Sequence, residues 1–266
     1  MRNTTWKEAV VIVTGASSGI GRATALRLAR QGSFLVLAAR RQAELEALAQ
    51  EIRALGTDAL ALPTDVTDQS QVQALVQAAL QRWGRIDGLV SNAGQYVRTP
   101  IREMSIASLE RSMAVNFYAG VYAVQAVLPT MLAQRKGTIV LVNSGDARTP
   151  IPPDTPYVAA KCALSGFGDI LRQELRGSGV EVTMIYPGRI DTPMIENLRV
   201  PRISAKISPE DVARAIQSGV EHRNAEVTIP AQTSLLYYVK VVSPRLSDWL
   251  IHKLGISGED LPVRQS

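Results

Sequence analysis

Residues 9–32 read "AVVIVTGASSGIGRATALRLARQG", and this stretch decides the fold. An apolar run leads directly into a loop in which Gly15, Gly19 and Gly21 have the spacing GxxxGxG. A helical pattern then continues to about Gln31. This order of strand, glycine loop and helix predicts the first unit of an α/β fold with a parallel sheet.

The glycine loop has two interpretations. Glycines let the backbone turn tightly and approach a pyrophosphate, and a helix that begins near Gly19 offers free N–H groups and the positive end of its dipole. Alternatively, the loop is only a turn that caps a helix. Its position after the first strand favours a dinucleotide, although the spacing differs from the usual GxGxxG.

Strands and helices alternate along the rest of the chain. Amphipathic stretches such as 41–55 and 69–83 lie between the apolar runs and have apolar residues three and four apart. We therefore expect a doubly wound parallel sheet with helices on both faces, which binds its ligand beyond the carboxyl ends of the strands. The seven runs predicted as strands are "AVVIV", "FLVLAA", "DALALP", "IDGLVSN", "GTIVLVNS", "EVTMIYP" and "EVTIP".

Composition narrows the function classes. The chain has 266 residues, of which 46% are hydrophobic, so we expect one catalytic domain over residues 1–230 and an extension over 231–266. The net charge of +5 is scattered without a basic stripe, which argues against nucleic acid as a partner. Cys162 is the only cysteine, so a cytoplasmic location is expected. We expect no metal, since His222 and His252 lack metal-ligand spacing, and no run that reaches the length of a transmembrane helix.

Two arginines suggest which dinucleotide is bound. Arg40 and Arg41 follow the second strand, where an acidic residue would bind the ribose 2′-hydroxyl of NAD, and the first acid there is Glu44. Guanidinium groups match a 2′-phosphate. The alternative is a pair of solvated arginines. We expect NADP(H) to be preferred over NAD(H).

Further motifs follow the glycine loop in a specific order. With that loop they resemble the short-chain dehydrogenase/reductase family, in its branch with chains of about 250 residues, over residues 5–230. The resemblance implies a Rossmann-type sheet of seven strands, a nicotinamide cofactor and hydride transfer between an alcohol and a carbonyl. The motifs are "TGASSGIG" at 14–21, Asp65 in "DVT", "NAG" at 92–94, Asn116 in "AVNFYAG", Ser144, Tyr157 with Lys161, and "PGRIDTPM" at 187–194.

The resemblance also implies cofactor contacts. The residues it implies are Gly15, Ser17, Ser18, Gly19, Ile20 and Gly21 at the pyrophosphate, Asp65 and Val66 at the adenine, Asn92, Ala93 and Gly94 at the ribose side, Tyr157 with Lys161, and Pro187, Gly188, Ile190 and Thr192 at the nicotinamide. The sequence departs from the family at "LVNSGDA", where relatives often have paired serines, and in its longer C-terminal end.

Tyr157 and Lys161 are the predicted chemical pair. Residues four apart share one face of a helix, so the ammonium is expected to lower the phenol pKa toward neutrality, as would an oxidised nicotinamide. Tyr157 would then act as general acid and base, with Ser144 polarising the substrate oxygen. In the resembling enzymes, Asn116 holds a water that relays protons to Lys161. An ordinary surface pair is the alternative.

Two function hypotheses follow. The first is an NADP(H)-dependent oxidoreductase acting on a carbonyl or a secondary alcohol. The second is a dinucleotide-binding redox sensor or scaffold without catalysis. Substrate identity is not determined, although the long segment 192–208 is suited to a substrate lid.

The C-terminal segment has an amphipathic pattern. Leu246, Trp249, Leu250 and Leu254 fall at helical spacing after Pro244. We expect this helix to pack against the protein's own body or a neighbouring subunit of a homo-oligomer, a dimer or tetramer. Contact of residues 235–254 with a membrane surface is the less favoured alternative.

Overall fold

The computed structural model describes residues 6–192, 198–199 and 206–260. Most of the segment predicted as a substrate lid, residues 193–197 and 200–205, lies outside the described residues.

Seven strands form one parallel sheet, as the alternation of strands and helices predicts. Their order across the sheet is β3-β2-β1-β4-β5-β6-β8, and each neighbouring pair is parallel. The short strands β7 and β9 pair separately and antiparallel. The strands are β1 Val10–Thr14, β2 Phe34–Ala39, β3 Ala59–Pro63, β4 Gly88–Ser91, β5 Gly137–Val142, β6 Val180–Pro187, β7 Leu198–Arg199, β8 Glu226–Ile229 and β9 Glu259–Asp260.

Helices cover both faces of this sheet. A π-helical segment, Ala114–Tyr118, joins α4 to α5, and a single 3₁₀ turn, Gly145–Ala147, follows β5. The α-helices are α1 Gly19–Arg30, α2 Gln42–Ala54, α3 Gln69–Trp83, α4 Ile106–Met113, α5 Ala119–Gln134, α6 Thr155–Glu174, α7 Pro209–Glu221, α8 Ser234–Val242 and α9 Pro244–Lys253.

The alternation of side chains along β1 explains the two layers. Val11 and Val13 point into the core shared with α1, α2 and α7, whereas Val10 and Ile12 point into the core shared with α3, α5 and α6. Both faces are buried because each strand residue contributes to one core or the other. Burial of each such aliphatic side chain stabilises the fold by about 1.5–3 kcal/mol.

The expectation that no stretch of the chain reaches the length of a transmembrane helix is wrong. Helix α4, the π-helical segment and α5 together form a helical span of 29 residues, Ile106–Gln134, which by length and composition could cross a membrane. Its residues Val124, Val127 and Met131 are instead buried in the core against the sheet. The apolar character of this span is that of a core helix.

The C-terminal extension is helical, as expected, but it packs through a different face. On α9 the structure buries Ser247 and Ile251. Leu246 and Trp249 remain 47% and 52% exposed. The apolar residues selected by spacing therefore lie mostly on the outside, because α9 meets the protein through Ile251, which the predicted stripe omitted.

Candidate active site

A cleft of about 720 Å³ lies beyond the carboxyl ends of the sheet strands. Nearly all the residues predicted to bind the cofactor or to react line it, although they come from loops and helices spread over the 178 residues from Gly15 to Thr192. These are Gly15, Ser17, Ser18, Gly19, Ile20, Arg40, Arg41, Asp65, Val66, Asn92, Ala93, Gly94, Asn116, Ser144, Tyr157, Lys161, Pro187, Gly188, Ile190 and Thr192.

The glycine loop packs closely against the loop after β4, and the N-terminus of α1 begins beside it. Gly15 has φ +66°, and a Cβ there would lie 2.8 Å from Asn92 Nδ2 and 2.9 Å from Ala93 Cα. Any side chain would therefore be strained and would clash. The Ser18 side chain makes no capping hydrogen bond to α1, so the first N–H groups of the helix face the cleft without that partner. This helix N-terminus, which lines the cleft, fits the pyrophosphate of a dinucleotide.

Gly21 is the exception among the predicted residues. It is buried behind the loop, and a Cβ on it would lie 2.3 Å from the Gly15 carbonyl oxygen. Helix α1 can approach the first strand this closely only with glycine at this position, so the structure gives Gly21 a packing role, and its contact with the cofactor stays a prediction.

The arginines lie at one end of the cleft, beside the loop after β3. Arg41 donates to Ser17 Oγ at 3.1 Å and pairs with Glu44 at 3.2 Å. Asp65 accepts hydrogen bonds from the backbone N–H and hydroxyl of Thr67, which lower the pKa of its carboxyl; nearby Arg40 contributes less. Both guanidinium groups are exposed and border the cleft. An anion bound here would compete with Glu44 for Arg41.

The loop after β4 is held by Asn92 and Asn116. The Asn92 side chain donates to the Thr14 carbonyl at 3.1 Å. Asn116 lies in the π-helical segment, where its amide donates to the Gln95 carbonyl at 2.9 Å and its oxygen accepts from the Gln95 N–H at 3.0 Å. Gly94 fits between them, because a Cβ there would lie 2.9 Å from Asn116 Oδ1.

Ser144, Tyr157 and Lys161 converge in the middle of the cleft. Ser144 follows β5, and its hydroxyl is near enough to the Tyr157 phenol to lower the pKa of that phenol. The Lys161 ammonium lies 5.8 Å from the centre of the Tyr157 ring and donates to the Val142 carbonyl at 3.0 Å. Burial lowers the pKa of Lys161 to about 8.

The pKa of Tyr157 shifts in the direction opposite to the expected one. Burial raises it, and the Asp146 carboxylate raises it further, against the smaller lowering by the Ser144 hydrogen bond. Spacing along α6 correctly placed Lys161 beside Tyr157. It did not account for desolvation, or for an acid contributed by another loop.

The residues after β6 form part of the cleft wall. Gly188 donates its N–H to the Ile229 carbonyl at 2.7 Å, which fixes the end of β6 to β8. Ile190 forms a bridge with Ile207, and Thr192 packs near Gly19, whose added Cβ would meet Thr192 Cγ2 at 3.1 Å. These contacts hold the segment after β6 along the cleft, which Gly188, Ile190 and Thr192 line.

Sequence reasoning missed a group of polar residues around Tyr96, Asp154 and the C-terminal loop. Tyr96 donates to Asp154 at 2.6 Å, and Arg98 lies 3.8 Å from the same carboxylate. Arg98 and Arg189 both donate to the carbonyl of Ser257 in the C-terminal loop, at 3.0 and 3.1 Å. Burial raises the pKa of Asp154 to about 6. The only sequence signal was the "GDA" after Ser144, since the other residues are far apart in the chain.

Among the residues that the structure describes, no group of three or more His, Cys, Asp or Glu side chains is arranged to hold a metal ion.

The known proteins that this chain resembles are oxidoreductases. The family described as short chain dehydrogenase matches residues 9–202. An uncharacterized oxidoreductase of Listeria monocytogenes is 37% identical over 196 residues, which cover 73% of this chain and 79% of that protein. An 11-beta-hydroxysteroid dehydrogenase A of Sesamum indicum is 30% identical over an alignment that covers 97% of this chain and 78% of that protein.

A solved structure agrees in fold as well. The short chain dehydrogenase/reductase from Burkholderia phymatum, crystallised in complex with NAD, superposes with a TM-score of 0.84 at 26% identity. The match covers 91% of this chain and 96% of that one.

Proposed function

The chain belongs to the short-chain dehydrogenase family of oxidoreductases. From this membership we propose that it transfers a hydride between NADP(H) and a carbonyl or secondary alcohol. In this proposal, Tyr157 acts as general acid and base. The observation that carries the proposal is the convergence of Ser144, Tyr157 and Lys161 beside a glycine loop that fits a dinucleotide.

Tyr157 is the proton carrier in this proposal. Its phenol donates a proton to the substrate oxygen in reduction and removes one in oxidation. Ser144 donates a hydrogen bond to the same oxygen, and so stabilises the negative charge that develops there. When bound, the nicotinamide supplies or accepts the hydride, and its oxidised ring adds a positive charge. Asn116 Oδ1 and Lys161 Nζ both lie beside Gly94, 2.9 and 3.7 Å from the position that a Cβ would take there, an arrangement suited to a proton relay that ends at the Lys161 ammonium.

The raised pKa of Tyr157 suits one direction of the reaction. Burial keeps the phenol protonated at neutral pH, which is the form that reduction requires. Oxidation requires the phenolate, so positive charge near Tyr157 must first lower its pKa. The buried Lys161 ammonium provides part of this charge. Its pKa is about 8, so it remains mostly protonated when the pH is below that value.

The choice of NADP(H) over NAD(H) rests on Arg40 and Arg41. Both are exposed at the end of the cleft next to Asp65, and they offer the donors that a ribose 2′-phosphate needs. The Burkholderia relative was crystallised with NAD, so family membership alone does not decide between the two cofactors.

The second candidate, a non-catalytic redox sensor or scaffold, has no observation in its favour. Loss of Tyr157 or Lys161 would support it, and both are present in the cleft.

The remaining proposals concern assembly and location. We propose a cytoplasmic homo-oligomer whose catalytic domain spans residues 1–230. In the extension, residues 231–266, the exposed apolar side chains of α8 and α9, among them Tyr238, Val242 and Trp249, would contact a neighbouring subunit. A membrane surface is the alternative partner for the same side chains.

Replacement of the phenol tests the proposed function. Tyr157→Phe should reduce turnover by about 10²–10⁴-fold while NADPH still binds, because the ring remains and only the transferable proton is removed. The assay follows the absorbance of the reduced cofactor with a panel of small aldehydes, ketones and secondary alcohols. Tyr122→Phe, on α5 and away from the cleft residues, is the matched control and should retain turnover. Turnover by Tyr157→Phe within tenfold of the unmodified protein would contradict the assignment.

A further inference from the structure

The carboxylate of Asp146 accepts the hydroxyl proton of Ser144, the proton that Ser144 would otherwise donate to a substrate oxygen. Asp146 lies in the turn after β5 and lines the cleft. Its carboxylate oxygen Oδ2 is 3.2 Å from Ser144 Oγ. Its backbone N–H donates to the same Oγ at 3.1 Å. The serine hydroxyl is therefore hydrogen-bonded to Asp146 through both main chain and side chain.

The hydrogen-bonding capacity of one hydroxyl makes this contact consequential. Ser144 has a single proton to donate and two lone pairs that accept. One lone pair accepts from the Asp146 N–H. If Asp146 is ionised, its carboxylate can only accept, so it takes the Ser144 proton. Ser144 then has no proton to donate to a substrate oxygen.

A neutral Asp146 reverses the direction of this hydrogen bond. The carboxylic O–H donates to the second lone pair of Ser144, and the Ser144 proton becomes available to the substrate. We propose that Asp146 is a positioning residue that must be neutral for Ser144 to polarise the substrate oxygen. This inference rests on the proposed function, because it assigns Ser144 the role of donor to that oxygen.

The surroundings of Asp146 determine its titration. Burial is the largest influence and raises the pKa of its carboxyl, while Arg189, the Ser144 hydrogen bond and Arg98 lower it. On its own element, Arg148 is directed away, over the Tyr186 ring. The other titratable groups that face Asp146 are Tyr96 from the loop after β4, Asp154 from the loop before α6, and Tyr157 and Cys162 from α6.

The proposal predicts a specific pH dependence for reduction. As pH rises through the pKa of Asp146, kcat/KM should fall, by up to about tenfold per pH unit for a single ionisation. The pKa of Tyr157 is raised, so loss of its proton would produce a separate decline at higher pH. Of the two declines in kcat/KM, the one at lower pH is assigned to Asp146.

Two substitutions at this position separate hydrogen bonding from folding. Asp146→Asn provides an N–H donor to Ser144 that does not ionise, so kcat/KM should stay within several-fold of the low-pH value and lose the lower decline. Asp146→Ala removes the donor, so kcat/KM should fall at all pH values. Rescue by Asn but not by Ala would not arise if Asp146 only supported the turn.

The experiment measures kcat/KM against pH with NADPH and phenanthrenequinone, a reactive dicarbonyl, as the probe. Asp154→Asn is the control, since burial raises the pKa of Asp154 to about 6 and this residue could produce a similar decline. The decline should persist in Asp154→Asn and be lost in Asp146→Asn. A decline that persists in Asp146→Asn, or that is lost only in Asp154→Asn, overturns the proposal.

A second measurement does not depend on turnover. Carbon NMR of protein labelled at the aspartate carboxyl carbon gives the pKa of Asp146, whose resonance is identified by its loss in Asp146→Asn. This pKa should lie above the ordinary value and rise further in Ser144→Ala, because the carboxylate loses a hydrogen-bond donor. An ordinary pKa, or one that Ser144→Ala leaves unchanged, overturns the proposal. Absence of turnover with every carbonyl probe would count against the proposed function instead.

Discussion

Replacement of Arg40 by alanine should weaken NADPH binding and leave NADH binding nearly unchanged. Arg40 is exposed beside Asp65 at the end of the cleft, and only the phosphorylated cofactor offers it an additional dianion. A hydrogen bond to a charged group contributes about 1.5–3 kcal/mol, and solvent screening at an exposed site favours the lower end of this range. About 1.5 kcal/mol corresponds to a roughly tenfold weaker Kd for NADPH.

Arg41 and Glu44 give a test in the opposite direction. Glu44 lies 3.2 Å from the Arg41 guanidinium and competes with any phosphate that binds there. Glu44→Gln removes the competing charge and should tighten NADPH severalfold without affecting NADH. Arg41 is less suited than Arg40 to the alanine test, because it also donates to Ser17 in the glycine loop, which either cofactor would contact.

Titration calorimetry at fixed ionic strength measures both cofactors on the same variants. The selectivity for NADPH should decrease with added salt, since the arginines are exposed. The reasoning is refuted if the unmodified protein binds NADPH and NADH equally well. It is also refuted if Arg40→Ala weakens both cofactors by the same factor.

Two further predictions concern the lysine and the C-terminal extension. Lys161→Met should lose most turnover and also weaken NADPH, because its buried ammonium lies within the cleft; an unchanged Kd for NADPH in calorimetry would exclude direct contact with the cofactor. Deletion from Ser243 onward should lower solubility or change the oligomer measured by light scattering, while NADPH binding persists. Flotation of the intact protein with anionic liposomes, lost on this deletion with the oligomer unchanged, would instead support contact with a membrane.

The cofactor end of the cleft was predictable because its signals are local. The glycine loop lies between one strand and the next helix, and Arg40 and Asp65 lie directly after the neighbouring strands. Parallel strands bring such positions to the same edge of the sheet, so the order of motifs along the chain was sufficient. Gly21 fits the motif equally well, yet only the structure shows that it packs against Gly15 instead of lining the cleft.

The polar group around Tyr96, Asp154 and Ser257 was less predictable because its interactions join residues that are far apart in the sequence. Arg98 and Arg189 are 91 residues apart, and both bind the carbonyl of Ser257. No periodicity relates these positions. The pKa of Tyr157 illustrates the same limit, since burial and the Asp146 carboxylate in another loop raise it, and the spacing of residues along α6 reveals neither influence.

Helix α8 of the extension contacts the residue that follows the turn carrying Asp146. Lys240 on α8 donates to the Arg148 carbonyl at 2.6 Å, next to the turn that carries Asp146. The Arg148 guanidinium lies 3.9 Å from the centre of the Tyr186 ring and 5.3 Å from that of Tyr237 on α8. Ser144 and Asp146 belong to the same turn, which lies next to Arg148. Movement of α8 would therefore change the hydrogen bond between Ser144 and Asp146 more than it would change the residues expected to bind the cofactor. A variant that loosens this helix should therefore alter the pH dependence of turnover more than the affinity for NADPH.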